Sequence, residues 1–322
     1  MTEGVTRPLE VLTVGRISVD LYAEEMNLGW NEVTHFVKSI GGSPTNVAVA
    51  AARLGHAAAV FTKVGSDPFG GYAKAKLASF GVDPRFVGTH PTLRTPLAFA
   101  VLDPPEDPPI LFYREPTAPD FTIALDEVDL DVVRAVPVFW VTGTAASAEP
   151  SRTTTMAMLE TRARRRHTVA DLDYRATFWP SVDAARAAIG ALVDHATVAV
   201  GNRTECEVAV GTSDPDGAAD RLLERGVEIA IVKLGGEGVL VATADRRTVV
   251  PPVPVAVVCG LGAGDAFGGA LCHGLLSGWD PEKTVVFANA AGAIVASRLL
   301  CSDAMPTAGE VDTLVENSGA DH

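Results

Sequence analysis

The chain has 322 residues, 47% of them hydrophobic, and its 26 basic and 40 acidic side chains give a formal net charge of −14. This composition is typical of a globular protein, and the acidic balance argues against nucleic-acid binding, which usually needs a basic face. The amino terminus has no apolar signal core and no run of about 18 apolar residues occurs, so we expect neither secretion nor a membrane span. The four cysteines form no C-x-x-C pair, which fits a reducing cytoplasm.

Short apolar segments alternate with amphipathic or small-residue segments along most of the chain. The first, "VLTVGRISVD", is predicted to be a buried strand that ends at Asp20, and "SPTNVAVAAARLG" a helix with Ser43 as N-cap and Gly55 as its stop. Further strands are predicted at AAVFTKVG, VFWVTG, HTVADLD, ATVAVGN, EIAIVKLG and GVLVAT, and helices at DPFGGYAKAKLASFG, TTTMAMLETRARRR and PDGAADRLLERG. This alternation predicts an α/β fold, a mostly parallel sheet with helices on both faces.

Two stretches interrupt the alternation, at about residues 16–40 and 95–115. The second resembles two strands joined by a proline-rich turn, and neither is long enough for a domain of its own. We therefore expect one domain over 1–322, with both stretches forming a small antiparallel β lid over the carboxyl ends of the main sheet, where open α/β sheets bind ligands. Their alternating apolar pattern leaves a face that needs cover, which predicts a homodimer paired through the lid.

The glycine-rich segment "CGLGAGDAF" follows the strand-like "VPVAVV" and opens into a predicted helix. Three interpretations compete. It could be an ordinary strand–turn–helix with glycines for tight packing. It could be a dinucleotide-binding fingerprint, because Gly262, Gly264 and Gly268 give G-x-G-x-x-x-G, but the second strand that such a motif needs does not follow.

The third interpretation is phosphoryl transfer. Backbone N–H groups of Ala263 and Gly264 at the positive end of a helix would hold a γ-phosphate and stabilise charge on its oxygens. Asp265 would then lie beside the attacking hydroxyl as a general base. The chain has no G-x-x-x-x-G-K-[ST] motif, so a P-loop enzyme is excluded.

The segment "GAGDAF" resembles the carboxyl-terminal signature of ribokinase-like (PfkB-type) carbohydrate kinases. Other landmarks of that family occur in order over nearly the whole chain: SVD with Asp20, GGSPTN with Gly41, Gly42 and Asn46, VGSDPFG at Val64–Gly70, GNRTE with Asn202 and Glu205, VKLGGEG with Lys233, Gly235 and Gly238, and FANAAGA with Asn289. Within the family, GRISVDLYAEE, GGSPTNVAVAAARLG, FYRE and DLDYRATFW resemble the 5-dehydro-2-deoxygluconokinases of inositol catabolism, although the pattern departs after Glu115.

The resemblance implies an ATP-dependent sugar kinase, with Asp265 as base and the Gly262–Gly264 turn around the transferred phosphate. It also implies that Asp20, Gly41, Gly42 and Asn46 bind the sugar, and that Asn202 and Glu205 hold the water shell of Mg²⁺. Lys233, Gly235, Gly238 and Asn289 would lie near the nucleotide. Turn and helix-start roles for Asn202 and Glu205 stay open, as does a solvent-directed Lys233.

One departure concerns monovalent cations. The commonest signature begins D-T, and that segment often shapes a cation site, whereas this chain has Cys259 and Gly260 there. A cation requirement is therefore left open.

Three arginines bear on the substrate. Arg16 lies in the predicted first strand, Arg114 in the lid and Arg175 after a strand end. A neutral sugar needs no cation, whereas a sugar acid has a carboxylate that arginine can bind through two hydrogen bonds. Surface ion pairs are the alternative for each arginine. The basic run "RARRRH" at 162–167 is instead expected to cover the solvated face of a helix.

We therefore expect a kinase of a small sugar acid, with 5-dehydro-2-deoxygluconate as the favoured substrate. The alternatives are a 2-dehydro-3-deoxygluconokinase, a fructokinase, or a non-catalytic protein that senses a sugar or a nucleotide on the same fold.

Overall fold

A computed structural model describes residues 7–318 of the chain. Its main sheet has nine strands in the order β13-β12-β11-β10-β9-β8-β1-β4-β5. All its pairings are parallel except those of β12, which is antiparallel to both neighbours. The predicted α/β fold is thereby confirmed. The strands are β1 (Val11–Val14), β4 (Ala58–Gly65), β5 (Val87–His90), β8 (Val138–Thr142), β9 (Thr168–Asp171), β10 (Val198–Asn202), β11 (Ile229–Lys233), β12 (Val239–Ala242) and β13 (Arg247–Val250).

Helices cover both faces of this sheet, and the strands between them are apolar nearly throughout, as expected for strands buried on both sides. Residues 138–142 and 168–171, for example, are buried without exception. Within residues 7–318, no helix is long and apolar enough to cross a bilayer. The helices are α1 (Ser43–Arg53), α2 (Pro68–Ser79), α3 (Leu130–Ala135), α4 (Ser151–Arg162), α5 (Val182–Val193), α6 (Arg203–Val210), α7 (Pro215–Glu224), α8 (Ala263–Leu276), α9 (Pro281–Ala296) and α10 (Ala308–Ser318).

A second, four-stranded sheet is formed by the two interrupting stretches, in the order β3-β2-β6-β7. We call it the lid sheet. Its outer pairs are antiparallel, and the central pair β2/β6 is parallel. Its strands are β2 (Ser18–Met26), β3 (Phe36–Gly41), β6 (Leu97–Leu102) and β7 (Ile110–Tyr113).

The boundary of the first strand differs from the prediction. The strand ends at Val14, Gly15 turns the chain with a φ of 137°, and a new strand begins at Ser18. Asp20 therefore lies in the lid sheet, and Arg16 lies in the connection between the two sheets. The segment "VPVAVV" at 253–258 is not a strand either, because its proline and the two before it lack the N–H groups that a ladder needs.

Two helix predictions also need correction. The N-cap of α1 is Gly42, not Ser43. Ser43 is the first helical residue, and its hydroxyl makes no capping hydrogen bond. The basic run does not cover a solvated helix face, because α4 ends at Arg162 and that side chain is buried. Its guanidinium donates to backbone oxygens that include those of Val136 (2.6 Å) and His167 (3.1 Å). Burial lowers the pKa of Arg162 to about 10.

Candidate active site

A cavity lies between the inner face of the lid sheet and the amino-terminal ends of α1 and α8. Eleven of the residues singled out in the sequence were expected at such a site as sugar ligands, as part of the phosphate turn or as the base, and seven of them line it. The lining consists of Arg16, Ser18, Asp20, Tyr22, Gly42, Ser43, Asn46, Ala98, Ala100, Ile110, Phe112, Arg175, Leu261, Gly262, Asp265 and Cys301. The main sheet thus presents its carboxyl ends to this cavity, as open α/β sheets do.

The glycine-rich turn forms the start of α8. Gly262 is its N-cap in the left-handed conformation, with a φ of 83°, and a β-carbon there would lie 2.6 Å from Cys301 Sγ. Only glycine meets both demands. Ala263 and Gly264 are the first two helical residues, so their N–H groups have no acceptor within the helix and can bind an anion.

Asp265 lies in the first turn of α8 and is held by two neutral donors from α1. Ser43 Oγ donates to its Oδ1 at 2.7 Å, and Asn46 Nδ2 donates to its Oδ2 at 2.7 Å. Burial raises the pKa of Asp265, and the two hydrogen bonds oppose that rise. A carboxylate without a direct cationic partner can still accept a proton, which a general base must do.

Asp20 lies on the lid side of the cavity. It accepts hydrogen bonds from Ser18 Oγ (2.6 Å) and Tyr22 Oη (3.1 Å), two neighbours on the same face of β2. A β-carbon at Gly41 would lie 1.8 Å from Asp20 Oδ2, so glycine at 41 is what lets this carboxylate lie against the paired strand. Burial raises the pKa of Asp20.

Two of the three arginines reach the cavity, and one carboxylate holds both. Asp173 Oδ2 lies 2.8 Å from Arg16 Nη2, and Asp173 Oδ1 lies 3.5 Å from Arg175 Nε. Thr144 Oγ1 also donates to Asp173, at 2.5 Å. Burial would raise the pKa of Asp173, but Arg16 and Arg175 outweigh it and lower the value to about 2. Arg16, Arg175 and Asp173 together carry one net positive charge, and the carboxylates of Asp20 and Asp265 line the same cavity.

Arg114 does not line the cavity. Its guanidinium pairs with the buried Asp120 and lies over the rings of Phe121 and Phe178. Asp120 also accepts from the backbone N–H of Ile17 at 2.8 Å. Arg114 therefore joins the lid sheet to the connection between the two sheets.

Of the residues expected near the nucleotide, Lys233 lies beside the glycine-rich turn. A β-carbon at Gly264 would lie 3.3 Å from Lys233 Nζ, so Lys233 points toward the phosphate turn and not away from it. Burial lowers the pKa of Lys233, but Glu205 and Asp171 outweigh it and raise the value. Gly235 and Gly238 bound the turn between β11 and β12, and Asn289 in α9 donates to Pro251 O at 3.0 Å.

Asn202 and Glu205 form a capping box at the start of α6. Asn202 Oδ1 accepts from the Glu205 N–H at 2.9 Å, and Glu205 Oε2 accepts from the Asn202 N–H at 2.7 Å. This leaves Glu205 Oε1 free of the box. Residues 7–318 contain no group of three or more His, Cys, Asp or Glu side chains arranged to hold a metal directly. Both side chains therefore have the helix-start role that the sequence left open, and the Mg²⁺ role of Asn202 and Glu205 stays a prediction.

Several site residues were not singled out from the sequence. Ser18 and Tyr22 alternate with Asp20, a signal that a correct strand boundary would have given. Asp171 ends β9 and Asp173 follows it in the quoted "DLDYR". Asp171 is buried with its pKa raised to about 8, chiefly by burial. Ser43 was assigned to a helix cap and instead contacts Asp265.

Comparisons with known proteins test the resemblance to the kinase family. Residues 9–308 match the pfkB family carbohydrate kinases. The chain is 35% identical over 310 residues to a 5-dehydro-2-deoxygluconokinase of Photobacterium profundum, and the alignment covers 94% of this chain and 93% of the relative. It is 32% identical to a protein with the same name from Geobacillus thermodenitrificans, over 97% of this chain and 94% of the relative.

A solved structure shows the same fold. It is a double mutant of the fructokinase from Vibrio cholerae, bound to fructose, ADP and a potassium ion. It is 26% identical to this chain with a TM-score of 0.84, and the match covers 95% of this chain and 98% of that one. The family resemblance seen in the motifs is therefore confirmed, and the chain belongs to the pfkB family of carbohydrate kinases.

Proposed function

We propose that the protein transfers the γ-phosphate of ATP to a hydroxyl of 5-dehydro-2-deoxygluconate. The observation that carries this substrate is the pair of arginines at the cavity, Arg16 and Arg175, held by the single carboxylate of Asp173. Asp173 cannot accept from all the N–H groups of two arginines, so both can still donate to a substrate carboxylate, which a guanidinium binds more strongly than the hydroxyls of a neutral sugar. The names of the relatives from Photobacterium and Geobacillus favour the same substrate.

In the proposed reaction, Asp265 takes the proton of the substrate hydroxyl as that oxygen attacks the γ-phosphorus. The bond from the γ-phosphorus to the bridging oxygen breaks, and ADP leaves with that electron pair. The N–H groups of Ala263 and Gly264 donate to the transferred phosphoryl oxygens, where charge is spread in the transition state. Asp20, Asn46 and the backbone of Gly41 and Gly42 orient the sugar.

The nucleotide side would be formed by Lys233, Gly235, Gly238 and Asn289. Lys233 points toward the phosphate turn and is charged. Asn202 and Glu205 would hold the water shell of Mg²⁺, an ion that neutralises phosphate charge in such transfers.

Two other substrates are compatible with the family. A 2-dehydro-3-deoxygluconate also has a carboxylate, so the arginines fit it as well. Fructose, which the Vibrio cholerae neighbour binds, has none. The two arginines at the cavity therefore favour either acid over fructose.

The test is a coupled assay of ADP release with ATP, Mg²⁺ and a panel of the two acids, fructose and ribose. We expect the highest kcat/KM with 5-dehydro-2-deoxygluconate. A higher value for 2-dehydro-3-deoxygluconate would change the substrate but keep the acid, whereas a higher value for fructose would remove the acidic-substrate proposal.

Alanine variants identify the arginine that holds the carboxylate. Arg16→Ala or Arg175→Ala should lower kcat/KM for the acid by about 10- to 100-fold, because the substrate charge loses its partner. Residual activity on neutral sugars should barely change. Arg114→Ala is a useful comparison, because Arg114 lies outside the cavity lining. An equal loss of both activities in the Arg16 and Arg175 variants would argue against a carboxylate site.

We also propose that the lid sheet covers the bound substrate and pairs with the lid sheet of a second copy. Its outer face is apolar, with Phe99 in edge contact with Phe36 (5.4 Å) and Tyr113 (5.5 Å). Tyr113 is 58% and Leu111 45% exposed. Light scattering should give a dimer at micromolar concentration, and Leu111→Glu should shift it toward monomer. A monomeric wild type, with or without ligands, would contradict the pairing.

A further inference from the structure

A short turn after α9 contacts both the lid sheet and the helices of the main body, α1 and α2. Its consecutive residues Cys301, Ser302 and Asp303 each contact a different element. Cys301 Sγ lies 2.8 Å from Tyr22 Oη in the lid sheet. Asp303 pairs with Lys76 of α2 and accepts from Ser39 Oγ of β3 at 2.5 Å. Ser302 is directed between these two contacts, toward α1.

Ser302 forms the far end of a hydrogen-bond chain to Asp265. Its Oγ donates to Asn46 Oδ1 at 2.7 Å, and Asn46 Nδ2 donates to Asp265 Oδ2 at 2.7 Å. An ionised carboxylate can only accept, so Asn46 must present its NH₂ group to Asp265 and its carbonyl oxygen to the other side. The hydroxyl of Ser302 meets that carbonyl oxygen and stabilises this orientation of the amide.

The surroundings leave few other ways to fix Asn46. Ser302 is 1% and Asn46 4% exposed, so water cannot freely replace the hydroxyl. The backbones of α1 and α8 are in close contact, because a β-carbon at Gly269 would lie 2.2 Å from that of Ala50. With both helices fixed, the main remaining freedom between Asn46 and Asp265 is the rotation of the Asn46 side chain.

We propose that Ser302 is a positioning residue for Asp265 and acts through Asn46. This rests on the proposed role of Asp265 as the base. Ser302 does not touch the reacting atoms. It keeps a hydrogen-bond donor on Asp265, which favours the ionised carboxylate and fixes the direction of its free lone pairs toward the cavity.

The test is Ser302→Ala, assayed for kcat, the KM of ATP and the pH dependence of kcat/KM. We expect kcat to fall about 10- to 100-fold, because a misplaced base costs rate of that order, with little change in the KM of ATP. The acid limb of the pH profile should move to higher pH, since Asp265 loses part of the donation that lowers its pKa. Ser302→Thr keeps the hydroxyl and should restore both properties in part, and Ser302→Cys, which keeps the volume, should not.

A matched control is Thr154→Val in α4. It also removes a buried hydroxyl, which donates to Ile123 O at 2.9 Å. Neither Thr154 nor Ile123 lines the cavity. We expect it to lower the melting temperature without moving the pH profile. The proposal is overturned if folded Ser302→Ala keeps the wild-type kcat and pH profile, or if it matches Thr154→Val in both. Wild-type turnover in Asp265→Asn would instead show that Asp265 is not the base, and would contradict the proposed function.

Discussion

Two carboxylates near the cavity differ in what holds them. Asp265, at the start of α8, accepts from Ser43 and Asn46, and both donors are neutral. Burial raises its pKa by more than the hydrogen bonds from Asn46 and Ser43 lower it. A carboxylate held in this way keeps its geometry and can still bind a proton, which suits a base.

Asp173, two residues after the end of β9, is held by cations. Arg16 and Arg175 lower its pKa to about 2, so it stays ionised at neutral pH. It cannot act as a base there, but it can hold two arginines at the cavity. The difference shows that the neighbours of an aspartate, and not its residue type, decide whether it moves protons or places charges.

Removing the carboxylate of Asp265 should give the largest effect on activity. Asp265→Asn should stay folded and bind the sugar acid, but lose about 100-fold or more in kcat, because the hydroxyl has no acceptor for its proton. Steady-state kinetics at saturating ATP measure this. Near-normal turnover would show that Asp265 is not the base.

Asp173→Asn should act on specificity and leave proton transfer intact. Without their common partner, Arg16 and Arg175 lose their fixed positions, so kcat/KM for the acid should fall about 10-fold or more. The ratio of activity on the acid to that on fructose should fall with it. A variant that loses both activities in proportion would contradict a role in substrate choice.

The same two substitutions should differ in stability. Asp173→Asn leaves buried Arg16 without its ion pair, which costs about 3 kcal/mol and lowers the melting temperature by about 5 °C. Asp265→Asn removes a charge that burial disfavours, so it should change the melting temperature little. Because the folded pKa of Asp173 lies below its ordinary value, its contribution is present above about pH 4 and is lost as the pH falls toward 2. In thermal scans, the difference in melting temperature between wild type and Asp173→Asn should therefore become smaller below about pH 4.

A smaller loss of stability at acidic pH should come from a pair of histidines outside the cavity. His56 Nε2 lies 2.8 Å from His273 Nδ1, and burial lowers the pKa of both rings. Glu10 and Arg7 face His56, and Asp312 faces His273. A lowered histidine pKa means that stability is lost as the pH falls below about 6.5. The melting temperature should drop slightly between pH 7.5 and 5.5, and His273→Gln should weaken that drop; an unchanged drop would exclude the pair as its source.

Much of the fold is readable from the sequence because long-range burial leaves a local pattern. Apolar strands such as 138–142 alternate with helices, and the glycines of "GAGDAF" indicate a close approach to the backbone. The resemblance to the kinase family rests on such local motifs. The boundary at 15–17 was missed, because one continuous apolar pattern spans two strands that belong to different sheets.

Contacts between distant segments explain the other differences. Arg162 was expected in solvent, and its burial depends on carbonyl groups from 136 and 167 that the helix pattern does not show. The contact of Ser43 with Asp265 spans 222 positions, and no spacing rule connects them. The sequence therefore indicates which residues belong to the site more readily than which partner each one has.

The most direct test of the division of roles is equilibrium binding of 5-dehydro-2-deoxygluconate to Asp265→Asn and Asp173→Asn, measured by calorimetry without ATP. We expect Asp265→Asn to bind the acid with nearly the wild-type Kd, and Asp173→Asn to bind it about 10-fold or more weakly, because only the second carboxylate positions the arginines. Weaker binding in Asp265→Asn together with wild-type binding in Asp173→Asn would contradict the assignment of Asp265 to the proton and Asp173 to the substrate charge.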